Sequence, residues 1–401
     1  MSKPAPTTAT IIRNGTVIDG TGRAPYKANI RVEDGKIVTI GEDVSSAGAT
    51  IIDASNQYVL PGLIDCHVHL CLDGDPSAEV RSDDGYVALQ MLKHAQESLR
   101  AGFTTLRDCG GNKYLEFSLR RAIDDGLFVG PRLALAGKLL SITCQGGDFY
   151  PGMYREADGP DEVRKAAREQ FKRGADFIKV MSSGAVMSPG EQPRAAQFEV
   201  EEIRAAVQEA SKLGSYVAAH AHSVAGMRNA VEAGVRTIEH GTFLHEDPAL
   251  VERMARDGVF LVPTLKVFRD MTSHNHDGNC IPAWMLEKGK RIQRDHRRSV
   301  ETAIKSGVNI ALGTDACTPY NRHGDNALEF TLLGECGMDA LQAIRAGTLN
   351  AARALGWDSW LGSLEVGKVA DVTVWTKDPV ADLGNLNKAN VALVMKAGQV
   401  V

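Results

Sequence analysis

The sequence predicts an α/β fold, a (β/α)8 barrel that interrupts a small β domain made by the two chain ends. Three observations lead there. Through the central two-thirds of the 401 residues, helical stretches stop at a glycine and are followed by short β-rich runs. About eight such runs occur, the number a parallel barrel needs to close. Several of them end in a residue that can bind a metal or carry a proton, and side chains at the carboxyl ends of barrel strands face the mouth where active sites form.

The elements follow in order. Residues 11–54 are short β runs broken by turns, and Asp34-Gly35 between alternating runs is a strong hairpin signal. From Leu63 onward, strands are expected near residues 63, 104, 132, 177, 216, 236, 259 and 309. Residues 161–173 have helical apolar spacing, Gly174 stops them, and 176–181 read as a strand. The same grammar recurs at 200–213 with Gly214, 225–233 with Gly234, 247–257 with Gly258 and 284–306 with Gly307. Glycine just past a helix accepts the left-handed turn that reverses the chain. Alternating helices and short apolar strands imply parallel strands joined by crossover helices. An open doubly wound sheet uses the same alternation, but no Gly-x-Gly-x-x-Gly follows the first strand. Residues 370–375 and 391–401 are β-rich again. Neither end has enough strands to stand alone, so residues 1–59 and 361–401 are expected to form one domain around a barrel at 60–360.

Composition narrows the class. Apolar content of 43% with 24% charged residues describes a soluble globular protein. A formal charge of −5 leaves no electrostatic footprint for nucleic acid or an acidic membrane. The N-terminal residues lack the apolar core of a signal peptide, and no run is long enough to span a bilayer. Seven dispersed cysteines with no CxxC pair argue for a reducing compartment. The expectation is a cytoplasmic homo-oligomer acting on a small molecule, with no nucleic-acid or membrane partner.

His67 and His69 are two apart on an apolar run, so both imidazoles share a strand face and can reach one ion. By itself such a pair is also compatible with polar residues satisfied by backbone groups. Lys179 ends another apolar run, where a buried amine is costly unless paired or neutralised; an ion pair with a nearby acid such as Asp176 is the plain alternative. His220 and His222 share a face, His240 ends the next run, and Asp315 ends the last, where a helix cap before Ala316 is the plain alternative. His94 reads as a helix residue facing solvent or packing, and His274, His276 and His296 are assigned no role.

The string Leu60-Pro61-Gly62-Leu63-Ile64-Asp65-Cys66-His67-Val68-His69 closely resembles the first-strand signature of the amidohydrolase superfamily. Residues 32–41 and 362–371 look like the two β-sandwich halves that bracket its TIM barrel. Gly184-Ala185-Val186-Met187-Ser188 and His323-Gly324-Asp325-Asn326 look most like its prolidase-like and arginine-carboxypeptidase-like branch. The resemblance implies two divalent ions, zinc by ligand type, held by His67, His69, Lys179, His220, His240 and Asp315. It also implies that Lys179 is an N6-carboxylysine shared by the two ions. Hydroxide between the ions would attack an amide-type C–N bond, with Asp315 as proton shuttle.

Substrate contacts are expected from His222, Asp148, Tyr150, Tyr154 and His323. Relatives of this branch typically carry Gly-Gly-His after the third strand; here Gly146-Gly147-Asp148 precedes Phe149 and Tyr150. The candidate substrates are therefore a dipeptide or N-acyl amino acid, against an aryl amide, carbamate or urea. A deaminase of this fold would place a glutamate three residues after the fifth-strand histidine, where this chain has Ser223. A non-catalytic scaffold would be expected to lose ligands, and none is lost.

Overall fold

The computed structural model describes residues 9–75, 83–273 and 281–401; His274 and His276 lie outside them. Both chain ends supply one eight-stranded sheet. The leading part contributes Ala9–Val17, Tyr26–Glu33, Lys36–Gly41, Ala49–Asp53 and Tyr58–Pro61, and the trailing part Val372–Trp375, Val391–Lys396 and Gln399–Val400. The expected hairpin joins Tyr26–Glu33 to Lys36–Gly41, with Asp34 and Gly35 at φ 47° and 76°. Those two positive angles are what the Asp-Gly pair supplies to a tight hairpin turn. The ends meet where Tyr58–Pro61 pairs antiparallel with Val372–Trp375. Ile12, Ile30, Val32, Val59, Val374 and Met395 fill the core of this unit.

The rest of the chain is α/β of the TIM-barrel type. Leu63–Val68, Phe103–Asp108 and Arg132–Leu135 run parallel in one sheet. Ile178–Met181, Val217–Ala221, Thr237–His240, Phe260–Val262 and Asn309–Ile310 run parallel in a second. The sheets touch at both edges. Asp176 N donates to Leu135 O at 2.8 Å on one side, while Cys66 N donates to Leu312 O at 2.8 Å and Asp315 N to His67 O at 2.7 Å on the other. Each of the eight expected positions holds or adjoins a strand.

The helices Pro160–Arg173, Val200–Lys212, Val224–Ala233, Pro248–Asp257 and Ala283–Lys305 fall within a residue or two of expectation. Gly174, Gly234 and Gly258 cap three of them in the left-handed conformation. The last barrel strand is shorter than its apolar run: its ladder covers Asn309–Ile310 alone. Beyond it the backbone turns to the first strand, and Asp315 itself sits at φ 57°. The segment after the third strand is more structured than a plain loop. It carries the short helix Gln145–Phe149 and the strands Leu139–Ser141 and Tyr154–Glu156, which pair with each other. Among the described residues no helix is long and apolar enough to cross a membrane, and the six described cysteines are free.

Candidate metal centre

The first strand delivers His67 and His69 to one spot. His67 Nδ1 lies 2.8 Å from Glu239 Oε2, which turns Nε2 toward Asp315 Oδ1 at 3.6 Å and Lys179 Nζ at 3.3 Å. His69 Nδ1 is held by Gly110 O at 3.0 Å, and its Nε2 is 3.3 Å from the same Asp315 oxygen. Behind them Glu239 also accepts from Arg107 Nη2 at 2.7 Å and from Thr237 Oγ1. Both charged groups are fully buried. Burial alone would raise the Glu239 carboxyl; the Arg107 charge and the His67 hydrogen bond hold it well below the usual range.

The fifth and sixth strands deliver the other imidazoles. His240 Nδ1 is 2.7 Å from Thr264 Oγ1, and His222 Nδ1 is 2.6 Å from Thr242 Oγ1. The His220 ring centroid is 4.6 Å from those of both His222 and His240. Burial lowers the basicity of all five rings, to about 4 for His69 and about 3 for His222. Neutral imidazoles keep a lone pair for a ligand.

Lys179 is 1% exposed, and its hydrogen-bond partner is the His67 ring, not a carboxylate. Asp176 is engaged elsewhere, 2.6 Å from Arg120 Nη1 and 2.8 Å from Leu135 N. The ion-pair alternative for Lys179 therefore fails. Asp315 opens no helix, so the cap alternative fails too; Ala316 bridges to Val68 instead. Burial pushes the Asp315 carboxyl up to about 7, against the opposing charge of Lys179.

Does this set suit metal ions? His67, His69 and Asp315 form one group with ligand atoms within 4.8 Å of one another, and His220, His222 and His240 form a second. His220 Nε2 is buried without a hydrogen-bond partner, a costly state that an ion relieves. The residues fit divalent metal ions.

All seven side chains line one cavity. Its wall is mainly apolar, including Leu72, Met153, Met187, Val267 and Phe268, with Tyr150, Tyr154 and Ser188. Tyr150 is buried, donates to Met187 O at 3.3 Å, and stacks on Tyr154 with ring centroids 6.4 Å apart.

The amidohydrolase family profile matches residues 58–401, from the last strand of the leading part to the last residue. The chain belongs to the amidohydrolase family. An ochratoxinase of Aspergillus niger is 32% identical to it over 406 aligned positions, which cover 93% of this chain and 82% of the relative. A Xaa-Pro dipeptidase solved with methionine in its active site has a TM-score of 0.90 and 33% identity, covering 98% of this chain and all of that one. A prolidase complexed with N-methylphosphonate-L-proline has a TM-score of 0.91 and 32% identity, covering 98% and 99%. Family and relatives alike make this chain a hydrolytic enzyme.

Two of the amidohydrolase's expected substrate contacts lie elsewhere. Asp148 is exposed on the helix Gln145–Phe149, whose turn directs it out to solvent, and it is absent from the cavity lining. His323 is buried, but the turn through Thr318 and Asn321 carries it to a neighbouring cavity, where Nδ1 meets Ser98 Oγ at 2.8 Å. Phe149 packs edge-on against Tyr150 and Trp284, outside the lining. His94 packs rather than facing solvent, and His296 is buried with Nε2 3.1 Å from His240 O.

Two acids that carry the frame had no role assigned from the sequence. Glu239 precedes His240, and strict strand alternation would send the pair to opposite faces; a φ of 69° at His240 breaks that alternation. Asp65 accepts from His67 N, Thr314 N, Thr314 Oγ1 and Asn326 Nδ2, tying the first strand to the Asp315 loop. Burial pushes its carboxyl up to about 6. The available signal was an acid inside an apolar run, directly before His240 for Glu239 and two residues before His67 for Asp65.

Proposed function

We propose that this amidohydrolase is a binuclear hydrolase of amide-type C–N bonds. In this reading a closed (β/α)8 barrel at residues 60–360 is set into a discontinuous β-sandwich of residues 1–59 and 361–401. The observation that carries the reading is the convergence on one cavity of His67 and His69 from the first strand, Lys179, His220 and His240 from three others, and Asp315 from the segment after the last, all of them buried. Two divalent ions held there, zinc by ligand type with carboxylated Lys179 as shared ligand, would polarise a scissile carbonyl and lower the pKa of water to about 7.

The chain's own residues do the rest. Asp315 takes the proton of the attacking water and passes it to the leaving nitrogen. His67 and His69 present Nε2 at 3.6 and 3.3 Å from the same Asp315 oxygen, placed to share an ion with it. His222, fixed through Thr242, faces the cavity beside His220 and positions the substrate. The apolar wall excludes bulk water, which strengthens every charge interaction inside.

The wall also supports a substrate class. Among the described residues that line the cavity Lys179 is the one lysine or arginine, and it sits at the metal floor. A free carboxylate, as in a dipeptide, would find no arginine or lysine among the described residues of the wall. An aryl or apolar alkyl group beside an amide, carbamate or urea bond suits the tyrosines and methionines better. Deamination gains no support, because Ser223 caps the helix Val224–Ala233 by accepting from Gly226 N at 3.0 Å.

The test is hydrolysis of a mixed set of dipeptides, N-acyl amino acids and aryl amides or carbamates, followed by mass spectrometry, with metal content measured on the same sample. Turnover of the aryl compounds with about two divalent ions per chain is expected. Turnover confined to dipeptides would overturn the substrate class, and less than one ion per chain would overturn the binuclear reading.

A further inference from the structure

Behind the Asp315 loop lies a buried ion pair whose place no step above explains. Lys266, on the helix Leu265–Ser273, donates from Nζ to the Asp270 carboxylate one turn further along. The two residues are 1% and 5% exposed. Taking such a pair out of water costs about what its attraction returns, so stability alone does not account for it. Lys266 Nζ also donates to Asn321 Oδ1 at 2.8 Å, across 55 residues of chain. Asn321 is itself fully buried.

That contact fixes which way the asparagine points. An ammonium group only donates, so it faces the amide oxygen and turns the amide nitrogen away from the helix. Asn321 Nδ2 then donates to Thr314 O at 2.7 Å and to Asp315 O at 2.9 Å. From the other side Asp315 N donates to His67 O at 2.7 Å. The Asp315 backbone is thus held at both its N–H and its carbonyl, at φ 57°. Cys317 and Tyr320 of the same loop are also left-handed, at 72° and 61°. Non-glycine residues adopt that conformation at a cost and keep it only where their surroundings impose it. The loop's own hydrogen bonds, such as Thr318 Oγ1 to Asp315 O at 2.8 Å, close the turn without needing a buried charge. What the lysine adds is a fixed direction for the amide. The residue before its helix, Thr264, meets His240 Nδ1 through Oγ1 at 2.7 Å, so one segment sets both that histidine and the Asp315 loop.

We propose that Asn321, turned toward the loop by Lys266, is a positioning residue for Asp315. It holds the Asp315 backbone so that the carboxyl reaches both the water that gives up a proton and the leaving nitrogen that takes it. The proposal rests on the reading of Asp315 as the proton carrier. Neither Asn321 nor Lys266 is among the residues that line the cavity, so the effect runs through Asp315 and not through contact with substrate. Displacing a reacting group by about 1 Å can cost about a hundredfold in rate.

The test is a double-mutant cycle in the full-length, metal-loaded enzyme, on the anilide or aryl carbamate that the parent turns over fastest. Asn321→Ala should keep the parent's metal content, lower kcat by about tenfold or more and move KM by less than about threefold. In an Asp315→Asn background the same change should cost less than about twofold, because the carboxyl it positions is already gone. A second readout needs no turnover. In cobalt(II)-loaded protein, Asn321→Ala should shift the visible absorption band of the parent and leave that of Asp315→Asn in place. Should Asn321→Ala fail to fold, Asn321→Asp decides, since it keeps the shape and the acceptor for Lys266 and removes both donors. Parental kcat with an unmoved cobalt band, or an equal loss in both backgrounds, would overturn the proposal. Asp315→Asn within about tenfold of the parent would strike the proton-carrier reading first, and this proposal with it.

Discussion

The floor of the cavity, carried on and just past strand ends, and its wall, carried on the segments that follow them, hold their side chains in different ways. On the floor nearly every ring is tied by its second nitrogen: His67 to Glu239, His69 to Gly110 O, His222 to Thr242 and His240 to Thr264. Arg107 in turn holds Glu239. In the wall, Tyr150 has one long hydrogen bond to Met187 O, Tyr154 stacks on it, and Met153, Met187 and Phe268 offer only surface. Methionine and aromatic contacts adapt where anchored imidazoles do not. The floor thus sets the reaction and the wall the choice of substrate, so changes in the two should separate in kinetics.

The largest effects belong to the floor. Asp315→Asn should keep its metal and lose about 10²–10⁴-fold in turnover, the usual range for general acid–base transfer. A variant within tenfold of the parent would assign the proton to another group. Lys179→Ala should lose metal and activity together, with partial recovery on adding a short carboxylic acid; unchanged metal content would break the shared-ligand role.

Next comes the frame beneath the floor. Arg107→Met leaves the Glu239 charge buried and unpaired, which should cost about 3–5 kcal/mol of stability by urea denaturation. A cost under about 1 kcal/mol would mean that His67 and Thr237 suffice.

Wall changes should be smaller and selective. Tyr150→Ala or Tyr154→Ala should raise KM for an aryl amide or carbamate about tenfold, about 1.4 kcal/mol, and barely affect a small aliphatic amide. Equal losses on both substrates would place the tyrosines in the floor's class.

The smallest effect is expected far from the cavity. Glu209 links two outer helices through Arg168, Lys212 and Arg164 at 3.0, 2.6 and 3.0 Å. Those hydrogen bonds, Arg168's first, hold its carboxyl down to about 2. Its unfolded value is about 4.3, so its contribution is complete above that pH and fades as pH falls toward about 2. Glu209→Gln should cost no more than about 1 kcal/mol at neutral pH and flatten acid unfolding in that window. Equal acid sensitivity in parent and variant would remove it from the pH response.

How legible the molecule was in its sequence follows the range of the interactions involved. Helix stops at Gly174, Gly234 and Gly258, the Asp34-Gly35 hairpin and the pairing of His67 with His69 on one face depend on neighbours a few residues away. Such features are written in local periodicity. Lys179, His220, His240 and Asp315 could be ordered along the chain because each ends its own apolar run. The wall was read only in part: Tyr150 and Tyr154 line the cavity, whereas the short helix Gln145–Phe149 turns Asp148 to solvent.

The sequence by itself determined the alternation of helices and strands, the joining of the two ends in one sheet and the list of ligand-type residues. Tertiary structure alone decided their partners. His67 meets Glu239 across 172 residues, Arg107 meets the same carboxylate across 132, and Asp65 meets Asn326 across 261. It also carried His323 away from the cavity to Ser98 and His94. The physical reason is that a buried polar group must find its partner wherever closure of the sheets brings one, and no local pattern encodes a neighbour supplied by another strand.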